Sequence, residues 1–302
     1  MQYPWLESSK QNILSLLKQD RSLLIYGLQG IGKKYLALEA AKIKLCESNN
    51  ACNKCQNCNL MNQNTHPDLI LLEPSIDKKT ISIDSIHEII ELVQQTSYMG
   101  KGKFVIIYCI EQLTIPASNA LLKNLEEPNK NINFILISHN KEQIINTIKS
   151  RCLEIFIPSP SFEQGKNYIM LNNKNLPDSV VKILSHQPLI SINYNLDFYY
   201  EIINMLLNVN RINNKVFPKN QQDLLQFIQV SSYWLYDLLS FVYTGRCYYF
   251  TQINQLPKIK FIEKIYACWN YIKEMLKNQN FSLNNKLLIH VFLAEYRLIF
   301  KD

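Results

Sequence analysis

Gly27-Leu28-Gln29-Gly30-Ile31-Gly32-Lys33-Lys34 decides the fold. The stretch fits the phosphate-loop pattern G-x-x-x-x-G-K-[ST] at every fixed position except the last, where Lys34 replaces the hydroxyl that would hold Mg²⁺. Gly27, Gly30, Gly32 and Lys33 are therefore the candidate phosphate-contacting residues. Before the loop, Ser22–Tyr26 is a short apolar run that reads as a strand. After it, Lys33–Leu45 reads as a helix, with Leu36, Ala40 and Ile43 on one side. Strand, glycine loop and helix together aim backbone N–H groups at an anion.

Further along, strands and helices keep alternating. Asp68–Leu72, Lys103–Tyr108, Asn133–Ser138 and Leu153–Ile157 read as strands. Ser85-Ile86-His87-Glu88 reads as a capping box ahead of an apolar stripe of Ile86, Ile89, Ile90 and Val93. Pro116 opens a helix that Pro128 ends, and another helix is expected over Lys141–Lys149. This rhythm calls for a parallel sheet with helices on both faces. Pro158-Ser159-Pro160 breaks it. Beyond, the signals are helical. Expected stripes are Leu224/Leu225/Ile228, Leu235/Leu238/Leu239/Val242, Phe261/Ile262/Ile265/Tyr266/Trp269 and Leu287/Leu288/Val291/Phe292/Tyr296.

Four of the eight cysteines, Cys46, Cys52, Cys55 and Cys58, follow the first helix with spacing C-x5-C-x2-C-x2-C. Four thiolates this close can hold one tetrahedral Zn²⁺, and a full sulfur set makes the site structural. The alternatives are free thiols or a redox C-x-x-C pair, but the redox motif needs only two cysteines. His66, in Thr65-His66-Pro67-Asp68, reads as a turn residue and not a ligand. Cys109, Cys152, Cys247 and Cys268 are isolated and read as buried small apolar side chains.

The 302 residues allow two or three domains, and 47% hydrophobic content fits a globular protein. No apolar run approaches the length of a membrane span, and the N-terminal residues lack a basic-then-apolar leader, so a cytoplasmic protein is expected. The net charge of +7 is spread out and reads as solvated surface.

Hydrolysis of a nucleoside triphosphate needs a loop hydroxyl and strand-end acids to hold Mg²⁺. After Phe104–Ile107 the two acid positions carry Tyr108 and Cys109, and Glu111 is expected to point elsewhere. With Lys34 that makes three absent groups, so ATP is not expected to be bound productively.

Several segments now converge: Tyr3-Pro4-Trp5-Leu6, the altered phosphate loop, the four-cysteine insertion, and Thr65-His66-Pro67-Asp68. To these add Asn119-Ala120-Leu121-Leu122-Lys123-Asn124-Leu125-Glu126-Glu127-Pro128 and Ser150-Arg151-Cys152. In their order and spacing the first half of the chain resembles the delta-prime subunits of the bacterial DNA polymerase III clamp loader, a family of AAA+ proteins. The resemblance implies an α/β AAA+ P-loop-type domain over 1–158 with a four-cysteine zinc module at 46–58. A helical lid over 159–206 and an all-α collar over 207–302 would follow. It implies a five-subunit open ring with tau/gamma ATPases and delta as partners, placing a sliding clamp on primed DNA. Arg151 matches the arginine finger such subunits lend to a neighbour's ATP site. A guanidinium supplied in trans neutralises charge on a γ-phosphate, and its planar fork suits phosphate oxygens. The chain departs from related lid domains at Ser185-His186-Gln187-Pro188-Leu189, which lacks glycines and an arginine. Ser138 stands where ATP-sensing members carry a polar strand-end residue, and reads as a relic of the fold.

Two other functions compete. A self-sufficient P-loop ATPase is opposed by Lys34, Tyr108 and Cys109. A zinc-based nucleic-acid module needs basic and aromatic residues around the cysteines, where Lys54 is the one basic residue between Cys46 and Cys58.

Overall fold

In the computed structural model, residues 3–19, 21–74, 80–126, 131–173, 175–208, 217–277 and 285–301 are described. The alternation read from the sequence becomes five parallel strands in the order β2-β3-β4-β1-β5. They are β1 (Leu23–Tyr26), β2 (Leu69–Leu72), β3 (Lys103–Tyr108), β4 (Ile132–Ser138) and β5 (Leu153–Phe156). Leu24 pairs with Leu136 of β4 and with Glu154 of β5, which fixes β1 inside the sheet. Phe104, Val105, Ile106 and Ile107 are all buried, as expected of a strand covered on both faces. On one face, Val105, Ile107, Phe134 and Leu136 pack with Ile86, Ile89, Ala117, Leu121 and Leu125. Each large side chain buried there contributes about 1.5–3 kcal/mol.

The helices of this region are α1 (Glu7–Leu16), α2 (Lys33–Leu45), α3 (Gln56–Asn62), α4 (Ile83–Gln94), α5 (Ile115–Glu126) and α6 (Asn146–Lys149). The expected capping box is displaced. Ser82, not Ser85, caps α4, its hydroxyl accepting from the Ser85 N–H. Thr114 Oγ1 accepts from Ala117 N–H at the start of α5, so Pro116 falls in the first turn as expected. Pro128 lies outside the described residues. The helix expected over Lys141–Lys149 is two pieces, a 3-10 turn at Lys141–Gln143 and α6. Asn140 caps the first piece, and Ile144 and Ile145 are extended between them. Two adjacent β-branched residues suit that break.

Helices continue as α7 (Phe162–Asn172), α8 (Asp178–Leu184), α9 (Leu196–Leu207), α10 (Gln221–Thr244), α11 (Ile262–Lys277) and α12 (Asn285–Leu298). Two stripes read separately lie on the single helix α10, which Gly245 ends with φ 68°. On α11 the buried line is Ile265, Cys268, Ile272 and Met275, while Phe261 and Tyr266 are exposed. On α12 it is Ile289, Phe292, Leu293 and Tyr296, with Leu287 exposed. Trp234 Nε1–H donates to Tyr296 Oη at 2.9 Å, and Tyr296 O–H donates to the Leu206 carbonyl at 2.9 Å. This buried polar chain ties α10, α12 and α9 together. Asp237, fully buried, accepts from the N–H groups of Tyr248, Tyr249 and Phe250.

The chain divides into two compact units, Met1–Gly165 with His186–Ile190, and Lys166–Ser185 with Ser191–Asp302. Among the described residues, no helix is long and apolar enough to cross a membrane.

Candidate functional site

Because all five strands are parallel, their C-terminal ends share one edge, where ligands of open α/β sheets bind. Tyr26 pairs with Ser138, and Tyr108 with Ile137. The phosphate loop, Cys109 and His139 therefore emerge side by side. Gly32 is the N-cap of α2 at φ 98°, a left-handed backbone that only glycine adopts without strain. Gly30 is also left-handed, at φ 74°, and a Cβ there would meet Ile190 Cγ1 at 2.6 Å and the Gln187 carbonyl at 3.1 Å. Leu189 N–H donates to the Gly30 carbonyl at 3.0 Å. The segment with no glycine or arginine thus lies directly on the loop, a placement no sequence signal announced. On its other side, Trp5 Nε1–H donates to the Ile31 carbonyl at 2.9 Å. Gly27 completes the turn, packed against the Ile157 carbonyl.

Lys33 is only 3% exposed, and its ammonium donates to the carbonyls of Gly27 at 2.7 Å and Leu28 at 2.6 Å. Burial pulls its pKa down to about 8, opposed by the charge of Glu111. Lys34 turns away to Glu73 Oε2 at 2.6 Å and lies 5.8 Å from the centre of the Tyr108 ring. At the strand ends, Tyr108 Oη and His139 Nε2 are 3.0 Å apart. Burial, reinforced by Lys33, lowers the His139 pKa to about 3, so its ring is neutral at pH 7. Cys109 has φ 59° and ψ 55°, and burial raises its thiol pKa to about 12. Ammonium, phenol and thiol thus stand where a metal-binding phosphate loop uses an aliphatic hydroxyl and carboxylates. Glu111 does not point away from this group as expected. Its Oε1 accepts from His139 N–H at 3.0 Å, because the 3-10 turn Ile110–Gln112 folds the carboxylate back to β4. Ser138 is buried and accepts from Asn140 N–H, a turn contact.

The N-terminal edge of the sheet carries the other candidates. Cys46 is the C-cap of α2, and Cys55 caps α3 by accepting from Cys58 N–H. The four sulfurs Cys46, Cys52, Cys55 and Cys58 lie within 4.8 Å of one another. Cys52–Cys58 is 4.0 Å and Cys46–Cys55 is 3.9 Å. Sulfurs about 2.3 Å from a tetrahedral ion are about 3.8 Å apart, so this set fits a metal. Backbone N–H groups of Cys52, Cys55 and Cys58 each point at a cysteine sulfur at 3.4 Å, and those aimed at Cys46 and Cys52 favour the thiolate there. Left-handed Asn49, Ala51 and Asn53 wind the chain around the cluster. His66 stays outside it, its Nδ1 accepting from Asp68 N–H. Asp68, fully buried, holds the Ser97–Met99 turn through Ser97 Oγ and the N–H groups of Tyr98 and Met99. Cys109, Cys152 and Cys268 are buried as expected, whereas Cys247 is half-buried, near Asn254 after the end of α10.

Arg151 sits two residues before β5, at the same N-terminal edge. Its Nε–H donates to Glu126 Oε1 at 2.6 Å, Nη2 contacts the same oxygen, and Nη1 donates to the Thr147 carbonyl at 2.9 Å. Glu126, like His139 and Glu73, had no role assigned from the sequence, because nothing local marks its distant partner.

A phosphate loop after the inner strand of a β2-β3-β4-β1-β5 parallel sheet defines an AAA+ fold. A DNA polymerase III gamma-subunit-related protein from Thermotoga maritima has this fold, with TM-score 0.60 over 97% of this chain and 99% of that one, at 16% identity. Residues 6–161 match the family model described as DNA polymerase III, delta subunit. The chain is 30% identical over 297 residues to a DNA polymerase III subunit delta' of Buchnera aphidicola subsp. Acyrthosiphon pisum, covering 91% of this chain and 87% of that protein. It is 34% identical to the Pseudomonas aeruginosa subunit delta' over 60% of this chain, and 33% identical to that of Escherichia coli over 52%. Those two matches span about half the length of each relative, 56% and 49%. The chain belongs to the family of DNA polymerase III delta' subunits.

Proposed function

We propose that this chain is a non-catalytic delta-prime subunit of a clamp loader. It would help place a sliding clamp on primer-template DNA and supply Arg151 to the ATP site of a neighbouring subunit. The observation that carries the reading is the separation of its two cationic sites. The phosphate loop leaves the C-terminal end of β1, whereas Arg151 precedes the N-terminal end of β5, which pairs with β1 from Leu23↔Leu153 onward. Four residues of strand separate these edges by about 13 Å. A guanidinium at the far edge lies away from the chain's own phosphate loop, which supports a role toward another subunit's nucleotide. Lys34, Tyr108 and Cys109 give Mg²⁺ neither the loop hydroxyl nor the strand-end carboxylates, which supports a subunit that does not hydrolyse ATP. The tau/gamma ATPases and delta are the partners this role requires. The cytoplasm is the compartment, and lid and collar divisions at 159–206 and 207–302 complete the reading.

The test is reconstitution. The chain should co-purify with the other clamp-loader subunits, and alone it should hydrolyse ATP at background rate. Arg151→Ala should assemble normally yet lower DNA-stimulated ATPase. Normal turnover in that variant removes the finger. Micromolar, Mg²⁺-dependent ATP binding by the isolated chain would instead favour the self-sufficient ATPase. We also propose that Cys46, Cys52, Cys55 and Cys58 hold one structural Zn²⁺. Metal analysis should return about one zinc per chain, lost when Cys58 is replaced by serine.

A further inference from the structure

We propose that Glu126 is a positioning residue that latches Arg151 until a neighbouring subunit presents phosphate. This rests on the reading of Arg151 as the finger. The two residues come from different elements: Glu126 closes α5, and Arg151 follows α6. The guanidinium presents its Nε/Nη2 edge to a single carboxylate oxygen of Glu126. Nη1 turns to the Thr147 carbonyl and to Ser150 Oγ at 3.3 Å. The Nε/Nη2 edge carries two parallel N–H groups, the arrangement that receives phosphate or carboxylate as a fork. Glu126 therefore occupies the face the finger would offer to a γ-phosphate and competes for it with the same chemistry. The Thr147 carbonyl holds the other side of the group, so releasing Glu126 frees the fork without freeing the whole side chain.

The pair is suited to exchange. The Arg151 and Glu126 side chains are 30% and 47% exposed, so water and salt reach both. An ion pair of this kind is worth at most about 1 kcal/mol and is screened by salt. Polyphosphate beside the finger carries more charge than one carboxylate and displaces it. When the neighbour's phosphate leaves, Glu126 recaptures the fork and holds it extended.

Glu126→Gln keeps the size and the carbonyl oxygen but removes the charge. In the reconstituted complex at low salt, this variant should raise the maximal DNA-stimulated ATP turnover about two- to fivefold, the reach of an exposed pair. The concentration of the chain needed for half-maximal stimulation should not move. The gain should shrink toward none as salt rises, because screening opens the wild-type latch. It should also be absent when Glu126→Gln is combined with Arg151→Ala, since the carboxylate acts only through the guanidinium. Thermal melts of each variant check folding. If Arg151→Ala lowers turnover but Glu126→Gln leaves it unchanged or lowers it, the latch is wrong and the finger stands. A gain that persists without Arg151 also overturns the latch. If Arg151→Ala has no effect, the finger reading fails and takes the latch with it.

Discussion

The phosphate loop and the Arg151 corner are two cationic sites of one α/β unit, and they hold their cations in opposite ways. Lys33 is buried and bonded to two backbone carbonyls of its own loop. Around it, Leu189, Trp5, Tyr108 and His139 contribute packing and neutral polar contacts. Arg151 is partly exposed and held by an acid that salt can screen. A charge satisfied by fixed carbonyls is part of the packing. A charge balanced by an exposed carboxylate is available for exchange. The contrast is between a cation built into the packing at one edge of the sheet and an exchangeable one at the other.

The comparison breaks most readily on turnover. At the site that receives the finger, Arg151→Ala should slow hydrolysis about 10³-fold, measured by single-turnover kinetics in the assembled complex. A comparable loss for Lys33→Met would put Lys33 in the reaction and erase the distinction. Next in size is packing around the loop. Gly30→Ala forces a left-handed backbone and a Cβ into Ile190 and the Gln187 carbonyl, and should cost about 3 kcal/mol in denaturant unfolding. A neutral outcome would mean that the Gln187–Ile190 segment is not seated on the loop.

A pH series sharpens the same contrast. Lys33 loses its proton near pH 8 in the folded chain and near its ordinary 10.5 when unfolded. Between these values the unfolded chain binds more protons, so stability should rise with pH, by on the order of 3 kcal/mol. Below pH 8 the cost of burying the charge is present in full. Lys33→Met should flatten that rise, and a slope unchanged in the variant would assign it to another group. The smallest effect belongs to Lys34–Glu73, an exposed pair beside the loop. Glu73→Gln should shift stability by less than about 1 kcal/mol, and only at low salt.

Much of the site was legible because its signals are local. The spacing of Gly27, Gly32 and Lys33, and of the four cysteines, follows from backbone geometry that a few consecutive residues determine. Lys34, Tyr108 and Cys109 could be read as departures because each stands at a fixed offset from a strand or loop. The ends of α4 and the break at Ile144–Ile145 were harder. Competing serine caps and short β-branched pairs differ by about 1 kcal/mol, which tertiary contacts override. The stripes of α11 and α12 rotated for a related reason: aromatic side chains such as Phe261 and Tyr266 fit an apolar pattern whether or not they are covered.

By itself the sequence determined the alternating α/β plan, the phosphate loop with its replaced metal-binding groups, the sulfur set and the candidate arginine. Only the tertiary structure decided what meets these residues. It brought Gln187–Ile190 onto Gly30, folded Glu111 back to His139 and set Glu126 against Arg151. The physical reason is range. Loop spacing and cysteine spacing are satisfied within one or two turns of chain, whereas a carboxylate 25 residues from an arginine finds it only after the parallel sheet has placed the end of α5 beside the start of β5.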